Sequence, residues 1–234
     1  MSLGQQYEPF ATRYASTIEN HPYRLYYEKP ATLALMPDVR GKTALDAGCG
    51  PGIYTEWLLQ HGAQVVACDY ADTFIDITHQ RCNGVAQVLQ ADLNQPLTFA
   101  ADSSFDLVFS ALTLHYIEDW HALFQEFFRV LRPGGVVVFS VNHPIYDMET
   151  RKTYNYYDTE LCEMLWKNFG EPYPRVKIYR RPLSAMINPI IEAGFRLDTL
   201  SEPKPLPEFE HTSPDEYARW SRKPSLLCVR AIKP

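Results

Sequence analysis

Thr43-Ala44-Leu45-Asp46-Ala47-Gly48-Cys49-Gly50-Pro51-Gly52 reads as a short apolar strand, Thr43 to Asp46, running into a glycine turn. A helix follows from Ile53 to about His61, with Trp57, Leu58 and Leu59 apolar, and Gly62 stops it. Outward from there the alternation continues. A strand at Gln64 to Cys68 ends on Asp69, Asp72 to Arg81 reads as a helix, and Gln87 to Ala91 is a strand ending on Asp92. Phe105 to Ser110 is the fourth strand, and Asp119 to Leu131 is an amphipathic helix. Pro133-Gly134-Gly135 breaks that helix, and the β-branched run Val136 to Val141 marks a strand buried on both faces of a parallel sheet. Strands alternating with helices of this length predict right-handed βαβ units.

The flanks differ. Residues 5–36 read as helical, punctuated by Pro22 and Pro30. Residues 144–180 hold eight aromatics, among them Tyr146, Trp166 and Phe169, and read as an insertion over a site. Leu183 to Ala193 reads as a helix that Pro189 should kink or start late. Phe195 to Leu200 and Leu226 to Ile232 are the last two strands, joined by a proline-rich loop at 203–224, and an antiparallel pair fits them.

The chain has 234 residues, 46% hydrophobic and 21% charged, which excludes a disordered tail or a coiled coil. Area scaling gives about 11,000 Å² of folded surface, enough burial for a core without disulfides or structural metal. A net charge of −6 argues against a nucleic-acid partner. No apolar run approaches the roughly 20 residues of a membrane span, and the N-terminus reads without a secretory signal. Five cysteines without a Cys-x-x-Cys pair suit reduced thiols in a cytoplasm, and no cluster has metal-ligand spacing.

Open α/β sheets bind ligands beyond the carboxyl ends of their strands. Those ends carry Asp46 with Gly48, Cys49 and Gly50, then Asp69-Tyr70, Asp92-Leu93, Ser110-Ala111 through His115, and Asn142-His143-Pro144. Three carboxylates at one rim favour hydroxyls, amines and positive charge. A dinucleotide loop would need a third glycine where Ile53 stands, and Gly-Lys-Ser or Gly-Lys-Thr is absent. Close backbone approach by a flat ligand is the remaining use of the glycines. Asp69 suits a ribose diol and Asp92 an adenine amino group. Asp46 either braces the glycine turn or meets the ligand through water.

Residues 44–52 resemble the glycine motif of class I S-adenosylmethionine-dependent methyltransferases, of a bacterial small-molecule, type 11-like kind. Asp69, Gln90-Ala91-Asp92-Leu93, Phe105 to Ser110 with Leu114-His115-Tyr116, and Arg129 to Gly135 are similar in order and spacing. Phe139-Ser140-Val141-Asn142-His143-Pro144 is similar to one bacterial subgroup. The resemblance implies an α/β, Rossmann-like doubly wound sheet of seven strands, order 3-2-1-4-5-7-6, the last antiparallel. It implies a single domain over 1–234: a helical cap at 1–40, a cofactor-binding core at 41–143, a lid at 144–180, and the last helix and strands at 181–234.

It further implies S-adenosylmethionine as cofactor, S-adenosylhomocysteine as product and a small-molecule acceptor, while the charge and the lack of a long apolar run speak for no nucleic acid and no membrane. Monomer and homodimer both stay open. Tyr14, Asp46, Gly48, Cys49, Gly50, Asp69, Tyr70, Asp92, Leu93, Ser110, Ala111 and His115 are the expected cofactor residues. His115 and His143 are the candidate catalytic bases, since an imidazole can take a proton from an acceptor near neutral pH. Arg180-Arg181 is read as solvated or as facing an acidic acceptor. The competing readings are aminopropyl transfer in the same cleft and a non-catalytic cofactor binder.

Overall fold

A computed structural model describes residues 3–151, 155–166 and 169–234. Its strands are β1 (Thr43–Ala47), β2 (Gln64–Asp69), β3 (Gln87–Gln90), β4 (Phe105–Ala111), β5 (Leu131–Asn142), β6 (Glu160–Leu165), β7 (Arg175–Arg180), β8 (Arg196–Ser201) and β9 (Leu226–Ile232). Seven of them form one sheet in the order β3-β2-β1-β4-β5-β9-β8, and β6 and β7 pair separately as an antiparallel hairpin. With the hairpin set aside, the main sheet has the expected order 3-2-1-4-5-7-6. β1 to β5 are parallel, and β9 runs antiparallel to both its neighbours.

The helices are α1 (Ala11–Ile18), α2 (Lys29–Leu33), α3 (Ile53–Gln60), α4 (Asp72–Arg81), α5 (Trp120–Val130), α6 (Pro144–Arg151), α7 (Leu183–Glu192), α8 (Glu208–Thr212) and α9 (Pro214–Trp220). Side-chain alternation divides the core into two layers. Val108, Val137 and Phe139 join Leu123, Phe124 and Phe127 of α5 and Met186 and Ile190 of α7 on one face. Leu107, Phe109 and Val138 meet Tyr54 and Leu58 of α3 on the other. The accessible surface is 10973 Å², close to the area that scaling predicts.

Three expectations need correction. Pro133-Gly134-Gly135 is part of β5: Leu131 pairs with Phe105 and Val136 with Leu107, so residues 132–135 bulge opposite Asp106. Gly134, at φ +78°, supplies the left-handed backbone this turn needs, and its N–H donates to the Lys233 carbonyl. α7 starts at Leu183, six residues before Pro189, so the proline marks no late start. The 203–224 loop contains α8 and α9, whose Phe209 and Trp220 bury against Tyr27.

α5 has a clear start signal. The Asp119 side chain accepts a hydrogen bond from the Ala122 N–H at 3.1 Å. Asp119→Ala should therefore lower unfolding stability by about 1 kcal/mol, read as a shifted denaturant midpoint with unchanged slope.

Candidate active site

Parallel strands bring the carboxyl ends of β1 to β4 to one rim, and the glycine loop rises from the first. The Cys68 carbonyl accepts from the N–H groups of Gly48 and Cys49 at 2.8 and 3.0 Å, which holds the loop against β2. Gly48 lies at φ +81°, and a Cβ there would fall 2.2 Å from the Thr113 methyl. Only glycine fits. α4 clamps the far side: the Thr78 hydroxyl donates to the Gly50 carbonyl and Arg81 Nε to the Pro51 carbonyl, each at 2.8 Å.

Asp69 ends β2 directly beside this loop. One carboxylate oxygen accepts from Gly50 N–H at 2.8 Å and the other from Ala71 N–H at 3.1 Å. Each oxygen keeps a second lone pair, so the group can still receive two ligand hydroxyls. Burial raises its pKa, opposed by the N–H donors of Ala71, Gly50 and Tyr70. Asp92 turns its own backbone, its Oδ1 accepting from Asn94 N and Nδ2 at 2.9 Å.

A cavity of about 140 Å³ opens over these groups. Of the expected cofactor residues, Tyr14, Gly48, Cys49, Gly50, Asp69, Tyr70, Asp92, Leu93 and Ala111 line it. Asp46 sits beneath the loop, 1% exposed, accepting from the Thr55 hydroxyl at 2.6 Å, and burial pushes its pKa up to about 7. Its partner is thus Thr55 of α3, and Asp46 does not line the cavity. Ser110 is also turned away, its hydroxyl donating to the Ala47 carbonyl at 2.7 Å across the β4–β1 seam. Burial raises the Cys49 thiol well above its ordinary range, so it is no thiolate nucleophile.

A second cavity, about 380 Å³, adjoins the first. Tyr7, Tyr14, Ile18, Tyr23, Leu112 and Tyr116 line both and so form their common wall. Within it the Tyr7 and Tyr116 hydroxyls are hydrogen-bonded at 2.5 Å. His115 is in the second cavity's lining, edge-on to Tyr116 at 4.3 Å between ring centroids. His143 lines neither. Its Nδ1 accepts from Ile145 N–H at the start of α6, which leaves the proton on Nε2 to donate to Glu202 at 2.7 Å. Burial lowers its pKa and Glu202 pulls the other way. The ring holds α6 and the loop after β8 together, with both nitrogens engaged.

Arg180 and Arg181 are neither solvated nor aimed at either cavity. Both are buried: Arg180 donates to the Asn155 and Tyr156 carbonyls, and Arg181 to those of Ile117 and Glu118. Arg181 fastens the hairpin to the core, and Arg180 ties β7 to the segment that leads into β6.

Several lining residues of the first cavity escape the sequence reading, among them Arg24, Glu28 and Tyr54. Glu28 is 2% exposed and accepts from Tyr54, from Thr32 at 2.9 Å and from Ser140 at 3.0 Å. Arg24 donates through Nη1 to the Glu19 carbonyl at 3.0 Å and lies 5.9 Å over the Tyr54 ring. Its Nε is buried without a hydrogen-bond partner among the described residues. Such a donor in a cavity wall can take an acceptor on a water or a ligand. The only local signal is Arg24 inside an aromatic run, Tyr23 to Tyr27, with Glu28 directly after it.

Comparison with known proteins agrees with this geometry. Residues 45–139 match a family described as a methyltransferase domain. An uncharacterized protein of Haemophilus influenzae is 28% identical over 230 residues, 88% of this chain and 87% of that one. A malonyl-[acyl-carrier protein] O-methyltransferase of Serratia marcescens is 38% identical over 101 residues, which is 43% of this chain and 38% of that enzyme. An S-adenosylmethionine-dependent methyltransferase from Mesorhizobium loti superposes with a TM-score of 0.73 at 27% identity, covering 92% of this chain and 99% of that one. Sheet order, glycine loop and these likenesses together support a class I S-adenosylmethionine-dependent methyltransferase.

Proposed function

We propose that this chain binds S-adenosylmethionine in the first cavity and passes its methyl group to a small molecule seated in the second. The observation that carries the reading is one small cavity holding both a carboxylate with spare acceptor capacity, Asp69, and a buried cation with an orphaned donor, Arg24. A ligand with a ribose diol and a free carboxylate fits that donor set. When bound, the cofactor supplies a methyl group already activated on a sulfonium.

Asp69 would hold the ribose hydroxyls and Arg24 the methionine carboxylate, while Asp92 and Leu93 flank the adenine. Glu28 positions Tyr54 beneath Arg24 and is a structural partner, its carboxyl raised by burial. The residues of the common wall would align acceptor and methyl donor, and alignment removes much of the entropic barrier. Residues 144–180 would act as the lid, since Met164, Leu165, Trp166 and Phe169 face the second cavity. His115 is the remaining candidate base. Four of the five cysteines, Cys49, Cys68, Cys82 and Cys228, are buried, which suits a cytoplasmic enzyme. No described helix is long and apolar enough to cross a membrane.

The acceptor of the Serratia relative does not carry over easily. A malonyl group brings a carboxylate, and among the described residues no lysine or arginine lines the second cavity to receive it.

Calorimetric titration with S-adenosylmethionine and S-adenosylhomocysteine tests the cofactor reading. Arg24→Met should weaken both by about tenfold, the worth of one charge-assisted hydrogen bond. Absence of binding in folded parent protein would refute it.

A further inference from the structure

The second cavity carries more than its size. Tyr14 of the common wall stacks on Phe169 at 5.2 Å and on Trp166 at 6.1 Å, with interplanar angles of 23° and 26°. On another side Tyr23 meets Trp220 edge-on at 5.0 Å. Flat rings on several sides suit a planar guest.

The charges are lopsided. Glu216, from α9, is the one carboxylate among the described lining residues, and no lysine or arginine accompanies it. Partial burial raises the Glu216 carboxyl, with Arg219 pulling it back. His21, also in the lining, is lowered by burial and stands neutral at pH 7. The wall tyrosines Tyr7, Tyr14 and Tyr23 are all raised by burial and keep their protons. The cavity therefore offers ring faces and one negative charge. It repels a bound anion and stabilises a cation, through the carboxylate and through the π faces.

We infer that the methyl acceptor is a planar aromatic nitrogen base whose uncharged ring nitrogen takes the methyl group and becomes cationic. The inference rests on the methyl-transfer reading above. In the step, the nitrogen lone pair forms the new N–C bond as the S–C bond breaks and its electrons return to sulfur. The positive charge leaves the sulfonium and arrives on the ring nitrogen, so no proton has to move, and for such an acceptor His115 lines the cavity without acting as a base. Charge thus develops in the second cavity as the transition state forms, where Glu216 and the ring faces are placed to meet it. An anionic acceptor would bind poorly there, since its charge faces Glu216 from the start.

Three bicyclic probes of one size test this: isoquinoline, N-methylisoquinolinium and 2-naphthoate. Each is titrated at pH 7.5 into protein saturated with S-adenosylhomocysteine, and methyl transfer from labelled S-adenosylmethionine to isoquinoline and 2-naphthoate is counted in parallel. N-methylisoquinolinium should bind at least tenfold tighter than 2-naphthoate, with isoquinoline between them and methylated in preference to the acid. Glu216→Gln should narrow the gap to less than threefold, with the S-adenosylhomocysteine titration serving as the check that the fold is intact. Equal or tighter binding of 2-naphthoate, a gap that survives Glu216→Gln, or binding of none of the three would overturn the inference. Failure of S-adenosylhomocysteine to bind the parent protein is read first, and it would overturn the methyl-transfer reading instead.

Discussion

Asp69→Ala should weaken S-adenosylmethionine binding by about 30- to 150-fold, equivalent to about 2–3 kcal/mol. Two losses combine. The ligand hydroxyls lose charged acceptors, and the Gly50 and Ala71 N–H groups lose the carboxylate that orients the loop. Asp69→Asn, which keeps one acceptor oxygen, should fall between parent and alanine variant. Calorimetry gives the affinities, and thermal melting of each apo protein separates lost binding from lost fold. An alanine variant that binds within threefold of the parent would remove Asp69 from the site.

A second large effect concerns stability and its pH dependence. Asp46 is buried, and its pKa is raised from 3.8 to about 7 in the folded chain. Between those values the unfolded chain ionises this group while the folded chain keeps it protonated. The unfolded state then binds fewer protons, so stability falls as pH rises from about 4 to about 7 and stays low above that. The penalty at pH 8 is on the order of 4 kcal/mol. Asp46→Asn removes the ionisation yet retains an acceptor for the Thr55 hydroxyl. The variant should therefore be markedly more stable than the parent at pH 8 and match it near pH 4. Urea midpoints at both pH values give the comparison. A variant weaker than the parent at pH 8 would mean that the loop needs the ionised carboxylate.

The rim of the sheet is legible in the sequence because its signals are local. A glycine turn and a carboxylate follow strands within one or two residues, so Asp69, Asp92 and the Gly48–Gly50 turn can be named without knowing what lies opposite. Glu28 is different. Its partners Tyr54 and Ser140 lie 26 and 112 residues away, and burial of the set depends on the Arg24–Glu28 turn packing against α3 and β5. His143 misleads for a related reason. It stands at a strand end on the ligand rim, yet Ile145 and Glu202 take both its nitrogens. The β6–β7 hairpin is written in the alternation of Val176 and Ile178, buried, with Arg175 and Lys177, exposed, but the surrounding density of tyrosine and proline hides it. The Pro133-Gly134-Gly135 turn reads as a break because its strand pairing resumes only after a bulge.

The common wall has a thermodynamic consequence. Its six side chains belong to both cavities at once, so any guest that orders them in one alters the cost of entry to the other. Linkage makes that influence reciprocal: whatever factor the donor adds to acceptor affinity, the acceptor returns to the donor. Substituting a wall tyrosine such as Tyr14 or Tyr116 then shifts both dissociation constants. With donor and acceptor seated as proposed, acceptor preference would be re-tuned in isolation only from the side of the second cavity away from the cofactor, where α9 and the hairpin stand.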